Sequence, residues 1–384
     1  DPRVIPIGMK IVKRAGGLIC LTCCGHNVAR ALSLLVVLLL LGVSSVPLTL
    51  ESTSIRPTEA ASQEADIVTW NVGDTWYYDI ELDAVNLVEG SSELSGSSLD
   101  IVTGDATILV ASATTYNVSG QWVPAYRLEV DAVGTGDGRF PEPNTGIFAS
   151  GELVVDYHET RWVRASDLAI IHRVQSIDLD FDAFGIWVTG IADFSHTHEY
   201  NPPQEVYDFP MRINETWNTA SKHTQIWSGN GGPIALSEPQ EEEETILYNI
   251  TEVTESPTTY SGCEDSYHIW WNNTNGDLLE DHWWCPAVGN DVYWWTDDIA
   301  MDGVDAKFWL TSFAPAAVSD VTVQIDPSTA ALNQMLNITI TGPDGEDGTL
   351  WHHENMYNFT LEGGVATLQI PANNRMDDTP TSID

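Results

Sequence analysis

Residues 269–295 read IWWNNTNGDLLEDHWWCPAVGNDVYWW and hold six of the chain's fifteen tryptophans as three adjacent pairs. Successive side chains of a β-strand point to opposite faces of its sheet, so each Trp-Trp pair puts one ring on either side. The stretch therefore predicts paired strands with aromatic residues on both faces. Asn275-Gly276 is a two-residue hairpin signal. Paired about it, Tyr267, Ile269, Trp271 and Trp284 share one apolar face with Leu278, while His268, Trp270, Asn272, Asp281 and Trp283 share the other. The second face sets rings among polar groups, as a sugar-stacking or partner-binding surface requires, unless another layer covers it. The same register puts Cys263 and Cys285 on opposite faces, which a disulfide forbids. The expectation is a disulfide, with a longer turn spanning NNTNGDL.

Working outward, the same two-residue alternation recurs in WYYDIEL, TILVAS, AYRLEVDAV, GELVVDYHE, AIIHRV and GIWVTGIADF, between Gly, Asn, Asp and Pro clusters. The fold class is mainly β, with antiparallel sheets. An internal repeat is visible in order. GDTWYY (73–78) matches NETWNT (214–219), and TIL (107–109) recurs at 245–247. AYRLEV (125–130) matches SYHIWW (266–271), and ETRWVRASDLAIIHR (159–173) matches EDHWWCPAVGNDVYW (280–294). Two related β-units follow, 67–205 and 206–313, behind a Ser/Thr/Pro/Glu linker at 51–66.

The succession FPMRINETW, a strand ending YHIWW, a turn, and LLEDHWWCPAVGNDVYWW resembles the half-barrel sheets of lipoprotein-carrier-like periplasmic proteins. The resemblance covers 206–313 and more faintly 67–205, and implies two curved half-barrel sheets with a concavity for an apolar ligand. Residues 314–384 begin with FAPAAVSD and continue with VTVQIDPST, LNITITGPDGEDGT and YNFTLEGGVATLQIPAN, which resemble the first strands of an immunoglobulin-like surface domain.

Residues 1–50 predict a targeting segment and an N-terminal apolar helix. Lys10, Lys13, Arg14 and Arg30 precede the uncharged run ALSLLVVLLLLGVSSVPLTL (31–50), either a cleaved signal peptide or a retained signal anchor. Met9 opens MKIVKR and is the expected start, and the chain reads as a fragment. From Glu51 onward, 10 Lys and Arg face 55 Asp and Glu. Such a field repels nucleic acid and anionic lipid and suits an acidic, exported surface. Membrane contact is expected only through the N-terminal segment. Cys20, Cys23 and Cys24 lack the second pair that a four-ligand zinc site needs. Sequons at Asn117, Asn214, Asn249, Asn272, Asn337 and Asn358 predict a glycoprotein.

His196 and His198 share a strand face and suit a transition metal if a third ligand joins them, or else belong to a solvated strand. No cofactor fingerprint occurs. Calcium is the one ion the carboxylates suit, at Asp178, Asp180 and Asp182 or at Asp344, Glu346 and Asp347, against plain strand and turn readings. Catalytic motifs such as G-x-S-x-G and H-E-x-x-H do not occur. The expected function is binding of an extracellular glycan or protein through Trp270, Trp283 and one of Trp294 or Trp295, with His268 and Asp281. The alternatives are an apolar-ligand carrier and a carboxylate- or metal-dependent hydrolase.

Overall fold

The structure is a computed structural model that describes residues 64–372, apart from 91–93, 142–145, 184–185, 233–235, 237, 256–259, 298–303, 318–320, 329, 332 and 353–354. The expected apolar N-terminal helix and its cysteines lie outside the described residues. Among those described, no helix is long and apolar enough to cross a membrane.

The elements in chain order are β1 (Glu64–Ala65), β2 (Thr75–Asp83), α1 (Val85–Gly90), β3 (Ser98–Leu99), β4 (Val102–Val118), β5 (Gln121–Pro141), β6 (Phe148–Arg164), β7 (Ile170–Ala183) and β8 (Ile186–Gln204). The second half continues with β9 (Met211–Arg212), β10 (Thr216–Asn230), β11 (Gln240–Glu255), β12 (Asp265–Asn272), β13 (Leu278–Cys285), β14 (Asn290–Thr296) and β15 (Asp305–Ala314). A small C-terminal unit follows, with β16 (Thr322–Asp326), β17 (Met335–Thr341), β18 (Asp347–His352), β19 (Asn355–Thr360) and β20 (Val365–Pro371).

The long strands form two curved antiparallel meanders, β2 and β4–β8, then β10–β15. They meet at both edges, β8 pairing with β10 and β15 with β2, while β5 pairs with both β4 and β6. Two half-barrel sheets therefore join into one continuous ladder. The concave face of each is covered by the other, which is why no closing helix is needed. The four matched segments fall on β2, β4, β5 and β6–β7 and on β10, β11, β12 and β13–β14, the same ordinal places in two six-strand halves.

The inward positions supply one core. Trp76, Tyr78, Ile80, Tyr126, Leu128 and Val130 of the first half cluster with Tyr267, Ile269, Trp271, Trp284, Val292 and Phe308 of the second. Each large buried side chain contributes about 1.5–3 kcal/mol. The outward positions are acidic, with Asp79, Asp105, Asp131, Asp156, Asp178 and Asp193 exposed. One end is filled by Ala65, Trp70, Val206, Tyr207 and Met211, pinned by the Trp70 Nε1 bond to the Gly289 carbonyl at 2.8 Å. At the other, the longer first-half strands and α1 enclose a second apolar core of Val88, Leu94, Leu99, Val102, Leu153 and Phe181. Gly104 sits where β4 and β5 approach so closely that a Cβ would lie 1.9 Å from the Val133 carbonyl oxygen.

The 269–295 hairpin keeps the expected faces, with Tyr267 opposite Trp284, His268 opposite Trp283 and Trp270 opposite Asp281. Two expectations are corrected. A bulge between Trp271 and Asn272 shifts the pairing, so Leu278 is 39% exposed instead of joining the apolar face. The disulfide and the register also coexist: Cys263 and Cys285 are bonded, at a Cα–Cα distance of 5.6 Å. Cys263 lies in the turn before β12, where strand alternation does not apply. The turn itself runs over NTNGD, closed by Asn273 N donating to the Asp277 carbonyl. Closing a 22-residue separation is worth about 3 kcal/mol in the chain-entropy model.

The C-terminal unit has a three-stranded sheet, β16–β17–β20, and a two-stranded one, β18–β19, around Leu336, Ile338, Ile340, Leu350, Leu361 and Ile370. Its Trp351 meets Tyr126 edge-on at 5.1 Å.

Candidate functional site

Strand alternation that buries apolar residues elsewhere buries polar ones along β6, β7, β8 and β10. Cross-strand pairing sets Glu159 beside Gln175 and Gln175 beside His196, and Arg161 beside Arg173, Arg173 beside His198 and His198 beside Gln225. All face inward. Glu159 accepts bonds from Arg161 and, bidentately, from Arg173 at 3.2 and 3.0 Å. Burial favours the neutral carboxyl, but the two guanidinium groups outweigh it and hold Glu159 well below the usual carboxylate range. One carboxylate shared by two arginines leaves this group with a net charge of about +1.

From Glu159 a hydrogen-bond chain runs across the wall. Gln175 Nε2 donates to Glu159 and to Tyr157, and its Oε1 accepts His198 Nε2 at 3.0 Å. His198 Nδ1 pairs with His223 Nε2 at 3.0 Å, and Gln225 bridges His223 Nδ1 and His196 Nε2. With the amide nitrogens donating, His198 and His223 each donate through Nε2 and accept at Nδ1, and His196 donates through Nε2. Burial, then Arg173 and the neighbouring histidines, hold His198 far below the ordinary imidazole value.

The second half presents a group of opposite sign. His282 Nδ1 lies 2.8 Å from Asp291 Oδ2, and its Nε2 lies 2.8 Å from Glu280 Oε2. Carboxylates only accept, so both ring nitrogens donate and the ring is an imidazolium. Burial opposes that charge, but Asp291 and Glu280 push His282 up to about 9. The ring is flanked by Trp271 at 4.7 Å and Trp294 at 5.9 Å, both near-parallel, which adds cation–π stabilisation. Asp291 Oδ2 also accepts Tyr207 Oη at 2.9 Å, and Glu280 accepts Trp294 Nε1 at 3.1 Å. Two carboxylates around one imidazolium carry a net charge of about −1.

These groups wall a cavity of about 310 Å³. Arg161, Arg173, His198 and His223 line one part and Glu280, His282, Asp291 and Asp297 another, with Trp70, Ile108, Leu128, Trp271 and Trp294 completing it.

His196 and His198 are therefore buried inside the ring of strands, not set on a solvated strand, and His223 is the third histidine beside them. Their nitrogens engage each other and glutamines. No group of three or more His, Cys, Asp or Glu among the described residues is arranged to hold a metal ion. Asp178 sits among Asp156 and Asp193 on the outer face, its carboxyl raised by partial desolvation and by Asp180 and these neighbours. Asp344 accepts a bond from Gly363 N and Asp347 one from Thr360 Oγ1 across the β18–β19 pair, and Glu346 accepts Leu361 N through its carbonyl.

On the outer face, His268 stacks on Trp283 at 3.7 Å and bonds Asp281 at 2.7 Å, Trp270 meets His268 edge-on, and Trp283 meets Tyr293. These rings are half-buried by one another, with Trp295 beside them. Trp294 is separated from this group and lines the cavity. Asn117, Asn214, Asn337 and Asn358 are exposed and Asn272 half-buried; the Asn249 side chain lies outside the described residues.

No protein-family model matches the chain, and no curated protein matches it. Among solved structures it is similar to a β-barrel-like protein of domain of unknown function DUF1849 from Brucella abortus, at 8% identity and a TM-score of 0.32, over 65% of this chain and all of that one.

Proposed function

We propose that this is an exported, non-catalytic protein that binds a small molecule in the cavity between its two six-strand halves. One observation carries the reading: a concave space of about 310 Å³, walled by aromatic and aliphatic side chains, into which a few fixed charged groups converge. That combination is the usual build of a ligand site. The resemblance to half-barrel carriers supports a ligand in the concavity, while the arginines, histidines and carboxylates of its wall favour a polar ligand over a lipid.

His282 donates through both nitrogens, and His198 uses one to donate and the other to accept, so neither of these two imidazoles has a lone pair to spare as a general base. The glycan or protein surface expected on Trp270 and Trp283 has weaker support, because the Trp283 ring already stacks on His268. Export rests on residues 1–50, the acidic exterior and the bonded Cys263–Cys285 pair. The two small sheets at 322–371 fit the start of an immunoglobulin-like surface module.

Thermal unfolding of the full chain against a library of small polar and amphipathic molecules tests the reading, since a ligand raises the melting temperature by mass action. A hit is expected to alter tryptophan fluorescence through Trp70, Trp271 and Trp294 and to weaken on Trp294→Ala. A blank library, or a hit indifferent to both Trp294→Ala and Leu128→Phe, sinks it.

A further inference from the structure

The two charged groups of the cavity are unlike and incompletely satisfied. At the acidic one, Asp291 is 7% exposed and lines the cavity. Its Oδ2 is saturated by His282 and Tyr207, and its Oδ1 has no hydrogen-bond partner among the described residues. A buried carboxylate oxygen without a donor costs more than an ordinary hydrogen bond returns, so a native one points to a missing donor. Glu280 is 20% exposed on the same wall, and Asp297 adds a third carboxylate. Trp271 and Trp294 line the cavity beside them and flank the His282 ring. At the basic group, Arg161 and Arg173 line the cavity while sharing the single carboxylate of Glu159. The histidines beside them add no anion. An anionic group of the ligand is favoured there.

We propose that the cavity selects a compact zwitterion, an organic ammonium that also carries a carboxylate, with its ammonium on Asp291 Oδ1 and Glu280 and its carboxylate toward Arg161 and Arg173. The inference rests on the cavity being the ligand site. Its size admits a molecule of amino-acid dimensions. The apolar part of the ligand lies against Ile108, Leu128, Val163 and Ile170, which line the remaining wall.

Four probes with one side chain separate the possibilities: leucine, leucinamide as the cation alone, N-acetylleucine as the anion alone, and N-acetylleucinamide as the neutral form. Calorimetry with the full chain is expected to rank leucine at least about tenfold above each of the others. Asp291→Asn is expected to cut leucine affinity about tenfold or more while leaving N-acetylleucine within about twofold. Should that variant fail to fold, Glu280→Gln, at a more accessible position, is expected to give the same pattern more weakly. Equal binding of the neutral or a singly charged probe overturns the zwitterion and leaves the cavity as a ligand site. No binding by any of the four also overturns it, and the wider library with its Trp294→Ala and Leu128→Phe variants then decides the cavity reading.

Discussion

The two six-strand halves carry the same device at the same place and use it differently. Glu159-Thr-Arg161 on β6 and Glu280-Asp-His282 on β13 occupy matching positions of the internal repeat, and each sets an inward carboxylate two residues before an inward cation. In the first half the cation is a guanidinium, joined by a second from Arg173, so the charge is fixed at every physiological pH. In the second it is an imidazolium held charged by two carboxylates, so the charge can be lost. A shared scaffold thus yields a permanent positive group and a titratable negative one, and the sign of each follows from the charge added to the shared carboxylate–cation pair, Arg173 in the first half and Asp291 in the second.

Removing the carboxylate from each half tests that asymmetry most severely. Glu159 is 1% exposed and serves two arginines, so Glu159→Gln strands two buried cations and is expected to cost about 3–5 kcal/mol in denaturant unfolding. Glu280 is partly exposed and its imidazolium keeps Asp291, so Glu280→Gln is expected to cost about 1–2 kcal/mol. The reverse ranking would break the comparison.

The pH dependence gives the next largest effect. His282 is raised from 6.5 to about 9, so its contribution is fully present below the unfolded value and is lost as pH rises through the folded one. At full strength it is about 3 kcal/mol. His198 is depressed, so its contribution is present above 6.5 and is lost as pH falls below that value, where the unfolded chain binds the proton first. The second half therefore sets an alkaline limb of stability and the first half an acidic one. His282→Gln is expected to narrow its deficit against the parent chain as pH climbs past 9, and His198→Asn to remain closer to the parent as pH falls below 6.5. Parallel pH profiles for parent and variants would refute the assignment.

The tryptophan hairpin and the alternation around it made the β class, the two-half organisation and the sorting of Trp270 and Trp283 from Trp271 and Trp284 legible in the sequence. The cavity was not legible, for a physical reason. Alternation identifies an inward face only when that face is apolar, whereas HETRW, HRVQS, SHTHEY and KHTQ are polar on both faces. That doubly polar pattern on four strands of an otherwise alternating sheet was the available signal for a polar interior. Cys263 was misplaced because the strand was assumed to reach it. Leu278 was misplaced because a bulge, which shifts register by one residue, leaves no mark in composition.

The smallest effect separates the outer rings from the inner ones. Trp283 and Trp294 lie on adjacent strands, one stacked on His268 outside and the other bonded to Glu280 inside. Trp283→Ala removes ring contacts worth about 1 kcal/mol and leaves the cavity wall intact, so a cavity ligand is expected to bind the variant as it binds the parent. Trp294→Ala removes a face of the imidazolium sandwich and a donor to Glu280 and is expected to weaken that ligand. A glycan or protein partner lost on Trp283→Ala and kept on Trp294→Ala would reverse the order and move recognition to the outer face, where the acidic exterior, not the paired charges of the interior, would govern the choice of partner.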